Sequence, residues 1–189
     1  MAITSNVSTF LGKIQQGVKP NMFLAEIPAD PADGATAEDL SILCKSTSLP
    51  GSSIGTIEVP YRGRTVKIAG DRTFDNWSAT FFVNTDMGTR AFFERWMDKI
   101  NSHLDNDAQL FVPSGANSYM RDLQISQMEK DSSDTGNIIR TYKLWHAFPT
   151  SVSTIDLAYD SNDQIEEFTV EFQYSYWTVE ANDVKSGGA

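Results

Sequence analysis

The run Gly51-Ser52-Ser53-Ile54-Gly55 matches a G-x-S-x-G nucleophile elbow, with Ser53 at the nucleophile position. That chemistry needs a strand before the serine, a helix after it, and a histidine and an acid brought up by the fold. Here Pro50 precedes the run and an alternating, strand-like segment follows it. His103 and His146 are the only candidate bases. A Pro-Gly turn opening a hairpin accounts for the run, so no catalytic residue is assigned. A metal site draws three or four ligands from His, Cys, Asp or Glu. Two distant histidines and one cysteine do not make such a set, and Cys44, in an apolar segment, reads as a small buried hydrophobe. Asp131-Ser132-Ser133-Asp134 and Asp160-Ser161-Asn162-Asp163 have calcium-like oxygen spacing. Neither has both the glycine at the sixth position and the glutamate at the twelfth, so they read as Asx-rich turns. No phosphate-cradling glycine loop is present, and neither a metal nor a cofactor is expected. The densest basic cluster is Arg62, Arg64, Lys67 and Arg72, beside Tyr61. It reads either as a solvated hairpin tip or as a contact with an acidic patch on a neighbouring subunit. Exposed charge alone does not decide between them.

The chain has 189 residues, a length that suits one domain with one sizeable core. Its 25 acidic and 15 basic residues give a net charge of −10, which argues against gripping nucleic acid through phosphates or docking on anionic lipid. The charge is uneven. Residues 1–143 hold 17 acids and 14 bases, whereas residues 144–184 hold eight acids and no Lys or Arg. A face of one sign lacks the interspersed counter-charges of an ordinary soluble surface. Such a face keeps a crowded polyanion from sticking. The opening residues carry no basic and apolar leader pattern, so no signal peptide is expected. No apolar run reaches the roughly 18 residues that span a bilayer.

The elements that would position these residues are mostly strands. Residues 1–20 read as an arm with at most a short helix, residues 21–180 as the domain, and 181–189 as a flexible Gly-rich tail. Met22 to Ile27 reads as a strand, residues 30–39 as a loop, and Leu40 to Ser46 as a short strand. Residues 55–69 alternate on both sides of Pro60-Tyr61-Arg62-Gly63-Arg64, a hairpin with Gly63 free to take a positive φ. Asn76 to Val83 alternates again, with Trp77, Ala79, Phe81 and Val83 on one face. One helix is expected, where Phe92, Phe93, Trp96, Met97 and Ile100 form a single stripe capped by Thr85 or Asp86. Beyond it, residues 119–129 pair with 138–148, and 154–159 with 165–178. In the last strand Phe168, Val170, Phe172, Tyr174 and Tyr176 point one way, and Glu167, Thr169, Glu171 and Gln173 the other. The fold class expected is mainly β: a sandwich or barrel with one flanking helix and a protruding hairpin.

Several segments together resemble the tail tube proteins of contractile-tailed, T4-like bacteriophages. They are Cys44-Lys45-Ser46-Thr47-Ser48-Leu49-Pro50-Gly51-Ser52-Ser53-Ile54, Val59-Pro60-Tyr61-Arg62-Gly63-Arg64 and Gly70-Asp71-Arg72-Thr73-Phe74. The Trp77 strand and the Phe92–Ile100 helix follow, then Ala147-Phe148-Pro149-Thr150-Ser151-Val152-Ser153 and Glu166-Glu167-Phe168-Thr169-Val170-Glu171-Phe172. The resemblance implies a structural virion protein rather than an enzyme. Six copies would form a ring whose sheets join into an inner β-barrel, and rings would stack inside a contractile sheath. Implied partners are other copies, the sheath, tape measure, baseplate and tail terminator proteins, with assembly in the host cytoplasm. DNA would pass through this negatively lined conduit at genome ejection without specific binding, and no membrane is involved. On this reading Glu167, Thr169, Glu171 and Gln173 face the lumen. Tyr61, Arg62, Arg64 and Lys67 are expected to touch adjacent subunits. The alternative is a ring protein of a type VI secretion or other contractile injection system. Two further classes are a Ser53 hydrolase and a monomeric acidic binding module.

Overall fold

The computed structural model describes residues 7–14, 17–29, 35–103, 119–129, 138–160 and 164–180. The Asp131–Asn137 turn, most of the Asp160–Asp163 turn and the Gly-rich tail lie outside them. Three helices occur among the described residues: α1 (Val7–Ile14), α2 (Ala37–Ile42) and α3 (Gly88–Ile100). Nine strands accompany them: β1 (Phe23–Glu26), β2 (Cys44–Thr47), β3 (Ser52–Tyr61), β4 (Arg64–Phe74), β5 (Trp77–Phe82), β6 (Arg121–Met128), β7 (Ile138–Val152), β8 (Glu167–Gln173) and β9 (Tyr176–Glu180).

Seven strands form one sheet in the order β1-β6-β7-β8-β5-β2, with β9 also on β7. The mainly β expectation holds, but among the described residues one chain does not close a barrel, because β1 and β2 are open ends. The sheet folds along β7. Its first half lies between β6 and β9, and its second half pairs with β8. His146 sits at the bend with φ of 56°, and its N–H donates to Asp122 Oδ1 at 3.2 Å. Strands that pass from one sheet to another at such an irregularity make the corner of an orthogonal packing. The partner strand breaks at the same level: β8 ends at Gln173, β9 starts at Tyr176, and Ser175 N–H donates to the Trp145 carbonyl between them.

The core fills this fold. Trp77, Ala79 and Phe81 of β5 and Phe168, Val170 and Phe172 of β8 are buried on one face of the second half. The α3 stripe packs on them, with the Phe93 ring 5.0 Å from Phe81 and 5.9 Å from both Phe168 and Phe172. Leu123, Ile125, Leu144 and Ala147 supply the first half. The Arg121 guanidinium lies 4.5 Å from the Trp96 ring and donates to the Pro28 carbonyl. Asp86 Oδ1 and Asn84 Oδ1 accept from the N–H groups of Gly88 and Thr89, so the helix start uses Asp86 and Asn84 rather than Thr85.

Three expectations need correction. Leu40 to Ser46 is not one strand: a capping box between Thr36 and Asp39 starts α2, and only Cys44–Thr47 is extended. Residues 154–158 are not a strand; both sides of β8 are already taken by β5 and β7, so a third partner has no edge. Tyr176 does not share the face of Phe168. The break at residues 174–175 shifts the phase, leaving Tyr176 exposed and Trp177 half-buried.

Candidate functional site

The outward face of β8 alternates with its buried face, as period two requires. Glu167, Glu171 and Gln173 are exposed there and Thr169 is half-buried. The register sets Glu171 beside Ser78 of β5 and Ser151 of β7, and Thr169 beside Thr80. The two threonine hydroxyls share a hydrogen bond of 3.0 Å. Ser46 of β2 continues the row past Thr80. Glu167 is ion-paired with Lys45 of β2. Glu171 has no ion pair among the described residues. The face is therefore hydroxyl-rich, and its net charge comes from Glu171.

The second feature is the β3–β4 hairpin, a separate two-stranded sheet. Every residue from 51 to 69 is exposed. Its turn is Arg62-Gly63, with φ of 46° and 81°, the double positive φ of a type I′ turn. Gly63 thus takes the positive φ expected of it, and Arg62 shares it. The root is fastened at three points. Trp77 Nε1 donates to the Ser48 carbonyl at 2.8 Å, Trp177 Nε1 donates to the Gly51 carbonyl at 3.2 Å, and the Phe74 ring lies 6.0 Å from Tyr174.

The register sorts the hairpin into two faces. Ile57 opposes Ile68, Val59 opposes Val66 and Tyr61 opposes Arg64, all on one side. Glu58 opposes Lys67 on the other, with 3.5 Å between Lys67 Nζ and Glu58 Oε1. Arg62 lies over the Tyr61 ring. So the expected contact residues divide: Tyr61 and Arg64 border an apolar row, while Lys67 sits on the reverse side. The row itself, Ile57, Val59, Val66 and Ile68, lies outside the expected contact residues. Its signal was present as alternation in register on both arms. Helix α1 presents a similar unused stripe, with Val7, Phe10, Leu11 and Ile14 all exposed at i, i+3, i+4 and i+7.

The sites considered for chemistry are placed differently. Ser53 is exposed on β3, its hydroxyl 2.7 Å from Thr73 Oγ1, and strand rather than helix follows it. Cys44 is buried, and burial pushes its thiol up to about 12 against a weaker opposing hydrogen bond to the Ser46 carbonyl. His103 follows α3 and His146 holds the β7 bend. Among the described residues no three His, Cys, Asp or Glu side chains are grouped to hold a metal.

A fold with an open hydrophilic sheet and two unused apolar faces can be compared with known proteins. The chain is 29% identical to the tail tube protein gp19 of Enterobacteria phage T4 over 159 residues, covering 84% of this chain and 90% of that one. It is 27% identical to the tail tube protein of Serratia phage KSP90, over 78% of each. Among solved structures, it shares the fold of the sheath-tube complex of an extracellular contractile injection system. The TM-score is 0.59 at 20% identity, covering 94% of this chain and 99% of that chain. The tube terminating cap of the anti-feeding prophage superposes with a TM-score of 0.61 at 16% identity, covering 96% and 99%. The family model for phage tail tube protein matches residues 10–180. The chain belongs to the phage tail tube protein family, and it is a structural component of the virion.

Proposed function

We propose that six copies close into a ring and that rings stack into the inner tube of a contractile phage tail, a role without catalysis. The outward face of β8 and its neighbours lines the bore. The observation that carries this is a polar sheet face bounded by two unpaired edges. Strands β2, β5, β8 and the second half of β7 form four antiparallel strands. Among the described residues, β2 and Phe148–Val152 each pair on one side only. Closure removes such edges, and an antiparallel joint between β2 of one copy and β7 of the next preserves the alternation. Four strands from each of six copies make a cylinder about 44–53 Å across at the backbone, from the spacing between strands and the usual barrel tilt.

On this reading the hydroxyl-rich wall and Glu171 let the tape measure protein and then DNA slide without holding either. Sheath protein surrounds the tube, baseplate proteins start it and a terminator ends it. The hairpin, with Tyr61, Arg62, Arg64 and Lys67, and the α1 arm contact adjacent copies. A ring in another contractile injection machine would share the wall and differ in cargo; sequence relatives from phages favour the tail.

The test is a density map of assembled particles. Stacked six-fold rings with Glu171 and Gln173 on the bore are expected. Glu171 on the outer wall would overturn the assignment.

A further inference from the structure

We infer that Glu167 serves as a mask on the bore wall: it cancels the one cation that the wall strands carry, Lys45, and the pair together covers the Phe82 ring. The inference rests on the tube reading and names what keeps that wall from gripping its cargo.

Lys45 is the only Lys or Arg in β2, β5, β8 and Phe148–Val152, the strands assigned to the wall. It enters the wall through an irregularity. The register of β2 on β5 shifts between Cys44 and Ser46, so Lys45 is the extra residue of a bulge. Cys44 opposes Phe81 on the core side and Ser46 opposes Thr80 on the outward side. The bulge adds Lys45 to the outward side, where its ammonium meets the Glu167 carboxylate. Glu167 is set there by its register with Phe82 of β5. Phe82 follows the buried Phe81 and is half-buried on the outward face. Lys45 Nζ lies 5.6 Å from the centre of its ring. The three side chains therefore stack on one spot: an aromatic ring, a cation over it, and a carboxylate on the cation.

Each covered member would grip a passing molecule if it were bare. A free ammonium holds phosphate, and six in every ring would make a ladder of them along the path of DNA. A bare ring offers apolar surface to a protein and a stacking face to a base. Glu167 cancels the charge, and the lysine stem shields the ring. The pair does little for the fold, since its side chains are 44% and 45% exposed and such pairs contribute little to stability. Masking survives that exposure. A passing phosphate has to displace a carboxylate tethered beside the ammonium, and the displaced carboxylate then repels the strand.

The test uses tubes of the full chain and a short fluorescent DNA duplex, read by co-sedimentation. Glu167→Gln tubes should retain about tenfold more duplex than unaltered tubes at low salt, and the excess should vanish between about 50 and 200 mM salt. Glu167→Gln with Lys45→Gln loses the same carboxylate and the cation as well, and should return retention to that of unaltered tubes. The melt of the free chain should hardly move in either variant. Glu167→Thr, which suits a strand and matches the Thr80 and Thr169 pair beside it, repeats the measurement should the glutamine variant fail to assemble. Unchanged retention in the Glu167 variants would overturn the mask. Equal retention by the double variant would too, because lost repulsion rather than a freed ammonium would then explain it. Failure of both Glu167 variants to assemble would also overturn it, since the pair would then be a structural joint. A map placing Glu167 and Lys45 outside the bore would overturn the reading of the wall, and the mask with it.

Discussion

Replacing Ile57 and Ile68 with threonine separates assembly from folding. The two residues oppose each other on the hairpin's apolar face, and they are 54% and 52% exposed. Full burial of such a side chain contributes about 1.5–3 kcal/mol, so covering the exposed half of each contributes about 1 kcal/mol. Ile57→Thr with Ile68→Thr keeps the β-branch that suits a strand and removes most of that gain, about 2 kcal/mol per hairpin. That is roughly a thirtyfold weaker contact for one subunit, and about 12 kcal/mol across six. The free chain should hardly change, because exposed sites away from special features shift stability by about 0.5 kcal/mol or less. The assays are denaturant melts of the unassembled chain, and sedimentation with electron microscopy of the assembled one. Thr56→Ser with Ala69→Ser, an opposed pair on the reverse face, serves as the control and should assemble normally. Tubes of ordinary length at ordinary concentration from the threonine variant would refute the reasoning. A melt weakened as much as by a core substitution would refute it too, since the hairpin would then be packed on its own subunit.

Removing residues 1–18 should leave the melt of the free chain unchanged but shorten or abolish tubes; normal-length tubes would show that the α1 stripe has no assembly role. Cys44 links stability to alkaline pH: the unfolded thiol ionises from about pH 9 and the folded one from about 12. Stability is therefore full below pH 9 and falls as pH rises toward 12, by at most about 4 kcal/mol, and a Cys44→Ala chain should show a shallower decline in urea melts. The Tyr174 hydroxyl is buried and has no hydrogen-bond partner among the described residues, so Tyr174→Phe should be neutral or stabilising by about 1 kcal/mol in the same melts. Burial, and then the nearby Asp75 charge, hold that phenol above its ordinary pKa, so the variant should also lose less stability above about pH 10.

Where burial sets the residue pattern, the chain was readable. The alternation of Trp77, Ala79 and Phe81 and the stripe Phe92, Phe93 and Trp96 name the two surfaces that pack together, because a wrong phase would put aromatic rings in water. The same rule misled at Ile155, Leu157 and Tyr159. They alternate as a strand would, yet Leu157 and Tyr159 are exposed, because β8 has no free edge to receive them. The bend at His146 was not legible either. A left-handed histidine leaves no periodic trace, and the phase shift at the 174–175 break opposite it appears only when the partner strand is known. Helix α2 did carry a signal, Thr36-Ala37-Glu38-Asp39 before Leu40, in which both capping hydrogen bonds form. The Thr36 hydroxyl also donates to Asp39 Oδ2 at 2.6 Å, and this bond, with the weaker one from the Thr36 backbone N–H, holds the Asp39 carboxyl below its usual range.

The acidic excess of residues 144–184 divides by position, and the division carries the functional argument. Of the eight acids, Glu167 and Glu171 lie on the face assigned to the bore, and Glu167 is already matched by Lys45. Six copies would thus give the bore one ring of unmatched carboxylates per layer, from Glu171, amid serine and threonine hydroxyls. A wall that is strongly negative would oppose entry of DNA, and one with free cations would hold it. A weakly negative polar wall does neither. Three others, Asp156, Asp160 and Glu166, sit on the loop at the far end of the strands. Charge that the sequence shows as one acidic block is therefore spread over two separate places in the fold. Changing Glu171 should alter transit through the tube.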